Sequence, residues 1–318
     1  MVKRLIRLFV PIVLAALFVP VVRAQYDAQL SQYFLAMGYY NPAYAGQSDN
    51  INFMALHRQQ WLGIEGAPKS FYIAADMPLQ LGKLNSGIGL IVFTEGIGLF
   101  RNTHIALQYA YKLKLFGGKL SFGVQPGYAG QSFNGTKIHI PTSEYHQQTD
   151  EAIPTTKVSG SAFDINAGIY YSRDNMYFGF GASHLTEPEM QLEENAYTYL
   201  TTTYNLSAGY NIKLSNPLID LQPSVFLKTD MESFQSDITA RVVYDKKFNG
   251  GITWRVNESI VFLLGATLGS FRVGYAYDFP TTQLLRGTTG SHELVVCYSF
   301  KLNKVKTGKN SHKSVRIL

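Results

Sequence analysis

Nine consecutive residues, Phe271-Arg272-Val273-Gly274-Tyr275-Ala276-Tyr277-Asp278-Phe279, place a large apolar or aromatic side chain at every odd position and a small or charged one at every even position. In an extended strand, successive side chains point to opposite faces, so this stretch has one apolar and one polar face. A closed barrel in a membrane turns the apolar face to lipid and the polar face to an enclosed interior. The stretch therefore predicts a strand of an outer-membrane barrel.

Similar stretches recur from about Asn52 to Phe300, and they predict fourteen strands. The predicted strands cover 51–60, 69–77, 86–95, 102–115, 118–130, 161–172, 175–184, 199–213, 218–230, 235–246, 248–256, 259–269, 270–279 and 293–302. An even number is typical of single-chain bacterial barrels. The predicted fold class is all-β, a transmembrane antiparallel β-barrel of about 14 strands in a bacterial outer membrane.

Some predicted strands depart from this pattern. The alternation is weaker in the first, second and twelfth strands, and residues 260–264 are apolar on both faces. Pro126 and Pro223 fall inside the fifth and ninth strands, where the missing backbone N–H predicts a bulge or a local break.

The connections between the predicted strands alternate in length. Those after even-numbered strands are short, such as 117–118 and 215–217, while 131–160, 185–198 and 280–292 follow odd-numbered strands. Tight periplasmic turns and longer extracellular loops are typical of outer-membrane barrels. A soluble β-sandwich, the alternative fold, has no reason to sort its connections in this way.

The first residues have the features of a secretion signal. A basic start is followed by an apolar run over 8–22, which is short for a membrane helix, and by the small-residue pattern Val22-Arg23-Ala24. We predict a signal peptide at 1–24 with cleavage near Ala24; the alternative is a retained anchor helix. The predicted organisation continues with a periplasmic or plug segment at 25–50, the barrel at 51–302 and a basic flexible tail at 303–318.

The positive charge of the chain lies outside the predicted barrel. The net charge is +6, but residues 1–24 carry four basic residues and 303–318 carry five, and neither segment contains an acid. Without these nine positive charges the remaining chain has a net charge of −3. The basic balance therefore gives no reason to expect a nucleic-acid partner.

The sequence contains no motif that predicts catalysis. The G-x-S-x-G, H-E-x-x-H, C-x-x-C and P-loop patterns are absent, and the single Cys297 excludes an intramolecular disulfide. His139, Glu144 and His146 could hold a metal, but a solvated loop is the preferred interpretation. We expect no catalytic residue, cofactor or metal; a barrel hydrolase with a polar triad at its rim is the alternative.

Charged residues on the inner face of the predicted strands have two interpretations. They either line a channel or pair across a closed interior, and a fourteen-strand lumen is wide enough to need a pore or an internal plug. The sequence leaves both open for Lys112, Asp164, Lys213, Asp220, Lys228, Asp237, Arg241 and Arg272.

Two groups of motifs near the N-terminus are distinctive. The first contains Gln29-Leu30-Ser31-Gln32-Tyr33 and Asn41-Pro42-Ala43-Tyr44-Ala45-Gly46; the second contains His57-Arg58-Gln59-Gln60-Trp61-Leu62-Gly63 and Gly66-Ala67-Pro68-Lys69-Ser70. Together with the ending His292–Phe300, they resemble the PorP/SprF family of Bacteroidota outer-membrane proteins. The candidate motif or partner-contact residues are Ser31, Gln32, Tyr33, Asn41, Pro42, Ala43, Gly46, Arg58, Gln60, Trp61, Gly63, Gly66, Ala67 and Pro68.

The resemblance implies a role in type IX secretion. Members of the PorP/SprF family are outer-membrane partners for secreted cargo, in some cases gliding adhesins. They are also partners for periplasmic and peptidoglycan-linked components of the machine. We therefore expect a non-enzymatic binding barrel embedded in the outer-membrane bilayer; the alternative is a diffusion channel or a hydrophobic-solute transporter. Barrels of this kind commonly end near the terminal aromatic, so the tail after Phe300 is a departure.

The motifs also have a physical interpretation without the family. Asn41-Pro42 favours a turn and Gly46 allows a positive φ, so the segment before the first strand could fold into the barrel as a plug. Arg58 and Trp61 could form a cation–π pair or an anchor at the membrane interface. A purely structural role, without binding, is the simpler alternative.

Overall fold

The computed structural model describes residues 27–82, 84–138, 154–194 and 196–302, and it is built almost entirely of strands. The strands are β1 Asn50–Gln59, β2 Lys69–Leu81, β3 Leu84–Ile97, β4 Phe100–Leu115, β5 Gly118–Asn134, β6 Lys157–Arg173, β7 Met176–Ser183, β8 Glu189–Glu193, β9 Ala196–Tyr199, β10 Thr203–Tyr210, β11 Ile212–Lys213, β12 Ile219–Thr229, β13 Phe234–Tyr244, β14 Phe248–Arg255, β15 Ser259–Leu268, β16 Phe271–Pro280 and β17 Ser291–Lys301. A helix, α1, covers Met37–Tyr40, and short 3-10 turns cover Pro42–Tyr44, Gly135–Lys137 and Gln283–Arg286.

The sheet closes on itself. Neighbouring strands pair antiparallel, and β17 returns to pair with β1 from Asn50↔Lys301 to Gln59↔His292. β10 and β11 both pair with β12 and together form one barrel strand, whereas β8 and β9 form a separate hairpin. The result is the closed antiparallel barrel of fourteen strands that the sequence predicts.

The barrel has a turn end and a loop end. At the turn end, where β1 begins and β17 ends, the connections 82–83, 116–117, 174–175, 214–218, 245–247 and 269–270 are short. The loop end carries 60–68, 135–156, 184–202 and 281–290, together with the shorter 98–99, 230–233 and 256–258. β5 and β6 stay paired as far as Asn134↔Lys157 and so extend into the predicted loop 131–160. The predicted loop 185–198 contains all of the β8–β9 hairpin except its last residue, Tyr199.

The two prolines that the sequence places inside strands, Pro126 and Pro223, each lie where one ladder is interrupted. The β4–β5 pairing stops at Ala106↔Gly127 and resumes in the same register at Tyr109↔Val124, so Pro126 has no partner on β4. At Pro223, pairing with β10 ends at Gly209↔Ser224, and pairing with β11 resumes at Ile212↔Leu221. Each proline therefore produces a local break without a bulge, because the register on its two sides is the same.

The wall has an apolar outer face and a mixed inner face. Outward side chains such as Leu107, Trp254, Phe262 and Tyr275 are exposed, as the alternation in the sequence predicts. Inward side chains include buried Asp278, but also Leu56, Tyr72, Val261 and Leu263, which pack against the chain that precedes β1. This contact explains why β1, β2 and β15, the strands with the weaker pattern, are apolar on their inner side as well.

Residues 27–49, here called the lumen segment, lie inside the barrel. Its Ser31 contacts β16 and β17, Tyr33 contacts β12 and β13, Asn41 contacts β6 and β7, and Gly46 contacts β2. The Asn41 side chain accepts a hydrogen bond from Ala43 N and caps the 3-10 turn that Pro42 begins. The segment runs from the loop end to the turn end, where β1 starts.

Among the residues described, no helix has the length and hydropathy that a membrane span requires.

Candidate functional site

A buried group of charged residues holds the lumen segment near the loop end. Ser31 Oγ donates to both oxygens of Asp278 at 2.8 Å and accepts a hydrogen bond from Arg58 Nη1 at 2.7 Å. The backbone N–H groups of Ser31 and Gln32 each donate to one oxygen of Glu293 at 2.7 Å. One carboxylate thus binds two successive peptide groups, which fixes the path of the segment.

A second arginine completes this group. Arg255 lies 2.9 Å from Asp278 and 3.1 Å from Asp237, and Arg58 lies 2.7 Å from Asp278 and 3.5 Å from Glu293. We call Ser31, Arg58, Asp237, Arg255, Asp278 and Glu293 the lumen charge cluster; all six are buried. Removing one partner from such a group leaves an uncompensated buried charge, at a cost of about 3–5 kcal/mol.

The structure corrects the sequence-based role of Arg58. Its guanidinium points into the lumen and binds carboxylates, so it neither pairs with Trp61 nor anchors the barrel at the membrane interface. Trp61 lies in the connection after β1 with a φ of 46°, and its N–H donates to Ser291 Oγ at 3.0 Å. Inward orientation follows from strand alternation, since Arg58 shares a face with buried Leu56.

The start of the lumen segment is held by a charged histidine. His184, the residue after β7, contacts Asp164 at 2.7 Å through Nδ1 and Asp27 at 3.0 Å through Nε2. Burial alone would lower the pKa of His184, but the charges of Asp27 and Asp164 and the hydrogen bonds to them outweigh burial and raise the pKa to about 10. Burial would raise the pKa of Asp27, whereas His184 lowers it to about 2. The contact is therefore an ion pair at neutral pH.

Two more motif residues hold the middle of the segment. Tyr33 Oη lies 2.8 Å from Ser224 Oγ and donates to Thr239 Oγ1 at 3.0 Å, and the Tyr33 ring stacks on Phe226. The Asn41 amide donates to the carbonyl oxygens of Ile169 and Phe180, on β6 and β7. Pro42 and Ala43 are buried in the 3-10 turn between these contacts and the turn end.

The far end of the segment approaches the wall closely. Gly46 has a φ of 62°, its N–H donates to Asp76 at 2.9 Å, and its carbonyl accepts a hydrogen bond from Lys112. A Cβ at this position would lie 2.5 Å from the Met77 carbonyl oxygen. Glycines on the facing wall make similar room for the segment, since a Cβ there would collide with it, at Gly87, Gly123, Gly168, Gly181 and Gly274.

The residues of the second motif group that follow β1 form the connection 60–68 at the loop end, apart from the lumen charge cluster. Gln60 N–H donates to the Pro68 carbonyl at 2.9 Å and closes the connection, and Ala67 N–H donates to Ile64. The Gly66 carbonyl accepts from Gly98 at 2.8 Å. Gly63 and Gly66 have positive φ angles of 105° and 74°. The structure thus brings Ser31, Gln32 and Arg58 together and places Gln60, Trp61, Gly63, Gly66, Ala67 and Pro68 in an ordered loop.

The sequence interpretation missed most wall partners of the segment. Asp164, Lys228 and Asp237 were expected to face inward, and all three are buried, with Lys228 donating to the Asp27 carbonyl at 2.9 Å. Arg255, Asp278 and Glu293 were not singled out, although alternation places each on an inner face. A search for charged residues on the inner faces of successive strands would have identified these three.

The described residues hold no metal-binding cluster. No group of three His, Cys, Asp or Glu residues that could hold a metal occurs among them. The possible metal ligands His139, Glu144 and His146 lie outside the described residues. The arrangement instead binds the chain to its own barrel wall through charges and hydrogen bonds.

Comparison with solved structures finds other outer-membrane barrels. The Ralstonia pickettii toluene transporter TbuX is 10% identical, with 83% of this chain and 93% of that chain covered and a TM-score of 0.49. A Pseudomonas aeruginosa FadL homologue is 10% identical, with coverages of 82% and 92% and a TM-score of 0.47. BamA from Haemophilus ducreyi lacking POTRA domains 1-3 is 7% identical, with coverages of 80% and 71% and a TM-score of 0.42. Such distant likenesses carry no argument about function.

No curated protein matches the sequence. The family model described as type IX secretion system membrane protein PorP/SprF matches residues 22–298, which is most of the chain. That range includes both motif groups, the lumen segment and nearly all of the barrel. The chain belongs to the PorP/SprF family of type IX secretion system membrane proteins.

Proposed function

We propose that this protein is a closed, non-enzymatic barrel that binds secreted cargo or periplasmic components of the type IX machine. Family membership supports the connection to secretion, and the fold supports a position in the outer membrane. In this proposal the lumen is not a route for solutes. Partners bind at the two ends of the barrel.

The observation that carries the proposal is the attachment of the lumen segment to the wall on all sides. Ser31, Tyr33, Asn41 and Gly46 bind strands distributed around the barrel. Opening a continuous pore would require separating these contacts. It would also break the buried Asp27–His184 ion pair and remove the hydrogen bonds that Ser31 and Gln32 donate to Asp278 and Glu293, which is strongly unfavourable. A freely conducting channel is therefore the weaker proposal.

The ordered connection 60–68 is the part of the loop end that we propose for partner contact. Leu62 N–H donates to the Gly290 carbonyl at 2.8 Å, and Leu62 accepts from Thr289 at 3.0 Å, so the two neighbouring connections are joined. Together they expose the apolar side chains of Leu62, Ile64, Leu284 and Leu285. Exposed apolar side chains on an ordered surface suit a protein partner.

Single-channel recording of the purified protein in planar bilayers tests closure. The proposal expects little stable conductance under conditions in which a general porin, as a control, conducts. A large and stable conductance of the wild-type protein would instead support the diffusion channel.

Affinity purification from mildly solubilised outer membrane tests partner binding. The tagged protein should recover type IX components or secreted cargo, whereas an unrelated outer-membrane barrel carrying the same tag should not. The Leu62→Ser and Leu284→Ser double variant should recover less of any partner bound at the loop end. Equal recovery with the unrelated barrel would contradict the proposal.

A further inference from the structure

Two arginines at the turn end differ from those of the lumen charge cluster because no carboxylate neutralises them. Arg241 on β13 donates to Gln222 Oε1 at 2.9 Å, and its guanidinium carbon lies 3.6 Å from the centre of the Phe34 ring. Arg272 on β16 has an exposed side chain. In the described part of the chain, neither forms an ion pair within 4.0 Å, whereas Arg58 and Arg255 both do.

Each of these arginines lines a cavity near the turn end. A cavity of about 270 Å³ contains Arg241 together with Tyr177, Asn211 and Gln222. A second cavity, of about 230 Å³, contains Arg272 together with Tyr44, Asn50 and Asn52. Phe34 of the lumen segment lies between them, since it stacks under Arg241 and lines the cavity of Arg272. We call this region, Arg241 and Arg272 with the two cavities, the arginine recess.

Two carboxylates also line the recess, but both have other partners. Asp76 accepts hydrogen bonds from Gly46 N at 2.9 Å and from the Asn52 amide. Asp174 lies 3.6 Å from Arg173 in the turn between β6 and β7. In the described part of the chain, neither guanidinium group of the recess is therefore bound by a carboxylate, and both are flanked by amide and hydroxyl groups that can bind a peptide backbone.

The chain's own terminal segments do not supply the missing negative charge. The residues after Leu302 follow the turn end of β17, yet 303–318 contain five basic residues and no acid. Residues 1–24 also contain no acid. Neither segment therefore offers the arginines a carboxylate side chain.

We propose that the arginine recess binds an acidic peptide segment of a periplasmic partner protein. Guanidinium groups bind carboxylates with two parallel hydrogen bonds, and two arginines on either side of Phe34 suit two acidic side chains of one extended segment. Arg241 and Arg272 share the inner faces of β13 and β16 with buried Thr239 and Asp278, opposite the lipid-facing side of the wall, which disfavours a lipid headgroup as the occupant. This inference names a partner class for the proposed function and in that respect rests on it.

Fluorescence anisotropy with purified full-length protein in detergent tests the recess directly. The probe is a labelled peptide of alternating Glu and Ser, and the matched peptide has Gln in place of each Glu. The acidic peptide should bind and weaken with added salt, while the Gln peptide should not bind. Arg272→Gln should weaken binding about tenfold, and the Arg241→Gln and Arg272→Gln double variant should weaken it further.

Arg101→Gln, at an exposed arginine near the loop end, is the matched control and should leave peptide affinity unchanged. Heat-modifiable mobility in gels verifies that each variant is folded. Because Arg272 is exposed, the Arg272→Gln single variant should disturb folding less than the double variant. Unchanged affinity in folded Arg272→Gln and double variants would overturn the inference. So would arginine-dependent binding of phosphatidylglycerol vesicles without binding of the peptide.

The purification described above separates this inference from the proposed function. Suppose that the wild-type protein and the Arg241→Gln and Arg272→Gln double variant recover the same type IX components, and that the peptide does not bind. Then only the arginine recess is wrong. If the peptide binds as expected but the wild-type protein recovers no type IX component, the proposed function fails while the recess stands as an anion-binding site for peptides.

Discussion

Single residues of the lumen charge cluster show which interactions the sequence can reveal. Strand alternation is enough to place Arg58, Asp278 and Glu293 on inner faces. It does not reveal that Glu293 binds the backbone of Ser31, because these residues are 262 positions apart and meet only when the last strand closes on the first. The motif resemblance singled out Ser31 and Arg58 separately, and their direct contact at 2.7 Å is a property of the closed barrel.

Replacing Arg58 should destabilise the protein strongly. Arg58→Met leaves Asp278 and Glu293 buried, with Arg255 as the only remaining arginine of the cluster, and should cost about 3–5 kcal/mol. The temperature at which the folded band disappears in heat-modifiable gels measures the loss. Arg101→Met, at an exposed position, should change this temperature little. A similar shift in both variants would mean that the cluster does not hold the barrel together.

The ion pair of His184 should make stability depend on pH. The pKa of His184 is raised from 6.5 to about 10, so its contribution is complete below pH 6.5 and disappears as the pH rises to about 10. Asp27 sets the low-pH limit of this stabilisation. Its pKa is lowered to about 2, so its contribution is lost only as the pH falls below about 4. The difference in unfolding temperature between the wild-type protein and His184→Gln should therefore shrink between pH 6.5 and 10. A constant difference would show that His184 is not charged in the folded protein.

At the level of the elements, strands were more predictable than connections. All fourteen predicted strands have a counterpart because a lipid-facing strand needs an apolar outer side, and that requirement leaves a two-residue period in the sequence. The ends of β5 and β6 lie beyond this apolar band and carry no such period. The β8–β9 hairpin was missed although Glu189, Gln191 and Glu193 alternate with Met190 and Leu192, because its strands are only five and four residues long and form no part of the barrel wall.

The lumen segment is the element whose position depends most on glycine. A Cβ at Gly123 would lie 2.1 Å from Ala43 N, inside the 3-10 turn, so Gly123→Leu should displace the segment from the wall. A cysteine introduced at Ser48 should then react faster with a hydrophilic thiol reagent, and some conductance should appear. Gly250→Leu is the control, because a Cβ at Gly250 meets nothing closer than 3.6 Å. Equal thiol reactivity in both variants would contradict close packing of the segment.

The outer face of β16 makes a separate prediction. Tyr275 faces outward in the middle of the strand, so Tyr275→Lys places a charge against lipid at a cost of about 2–4 kcal/mol and should lower the amount of folded barrel in the membrane. Tyr275→Leu keeps an apolar side chain and should assemble normally. Gly274 is a poor inward control, because a Cβ there would lie 2.1 Å from Gln32 Oε1 of the lumen segment. Equal abundance of the Lys and Leu variants would mean that residue 275 does not face lipid.

For the whole molecule, the sidedness of the barrel follows from its closure. Since β1 begins and β17 ends at the turn end, the barrel wall starts and finishes on one side, and the connections at the other end include the longest ones. Outer-membrane barrels place their short turns in the periplasm. We therefore predict that an epitope near Tyr145, which lies outside the described residues, is labelled on intact cells, while an epitope after Leu302 is labelled only once the outer membrane is ruptured. Both placements follow from one strand count, so labelling of the second epitope on intact cells would overturn the orientation of the whole barrel. It would also place the arginine recess on the cell exterior, out of reach of any periplasmic partner.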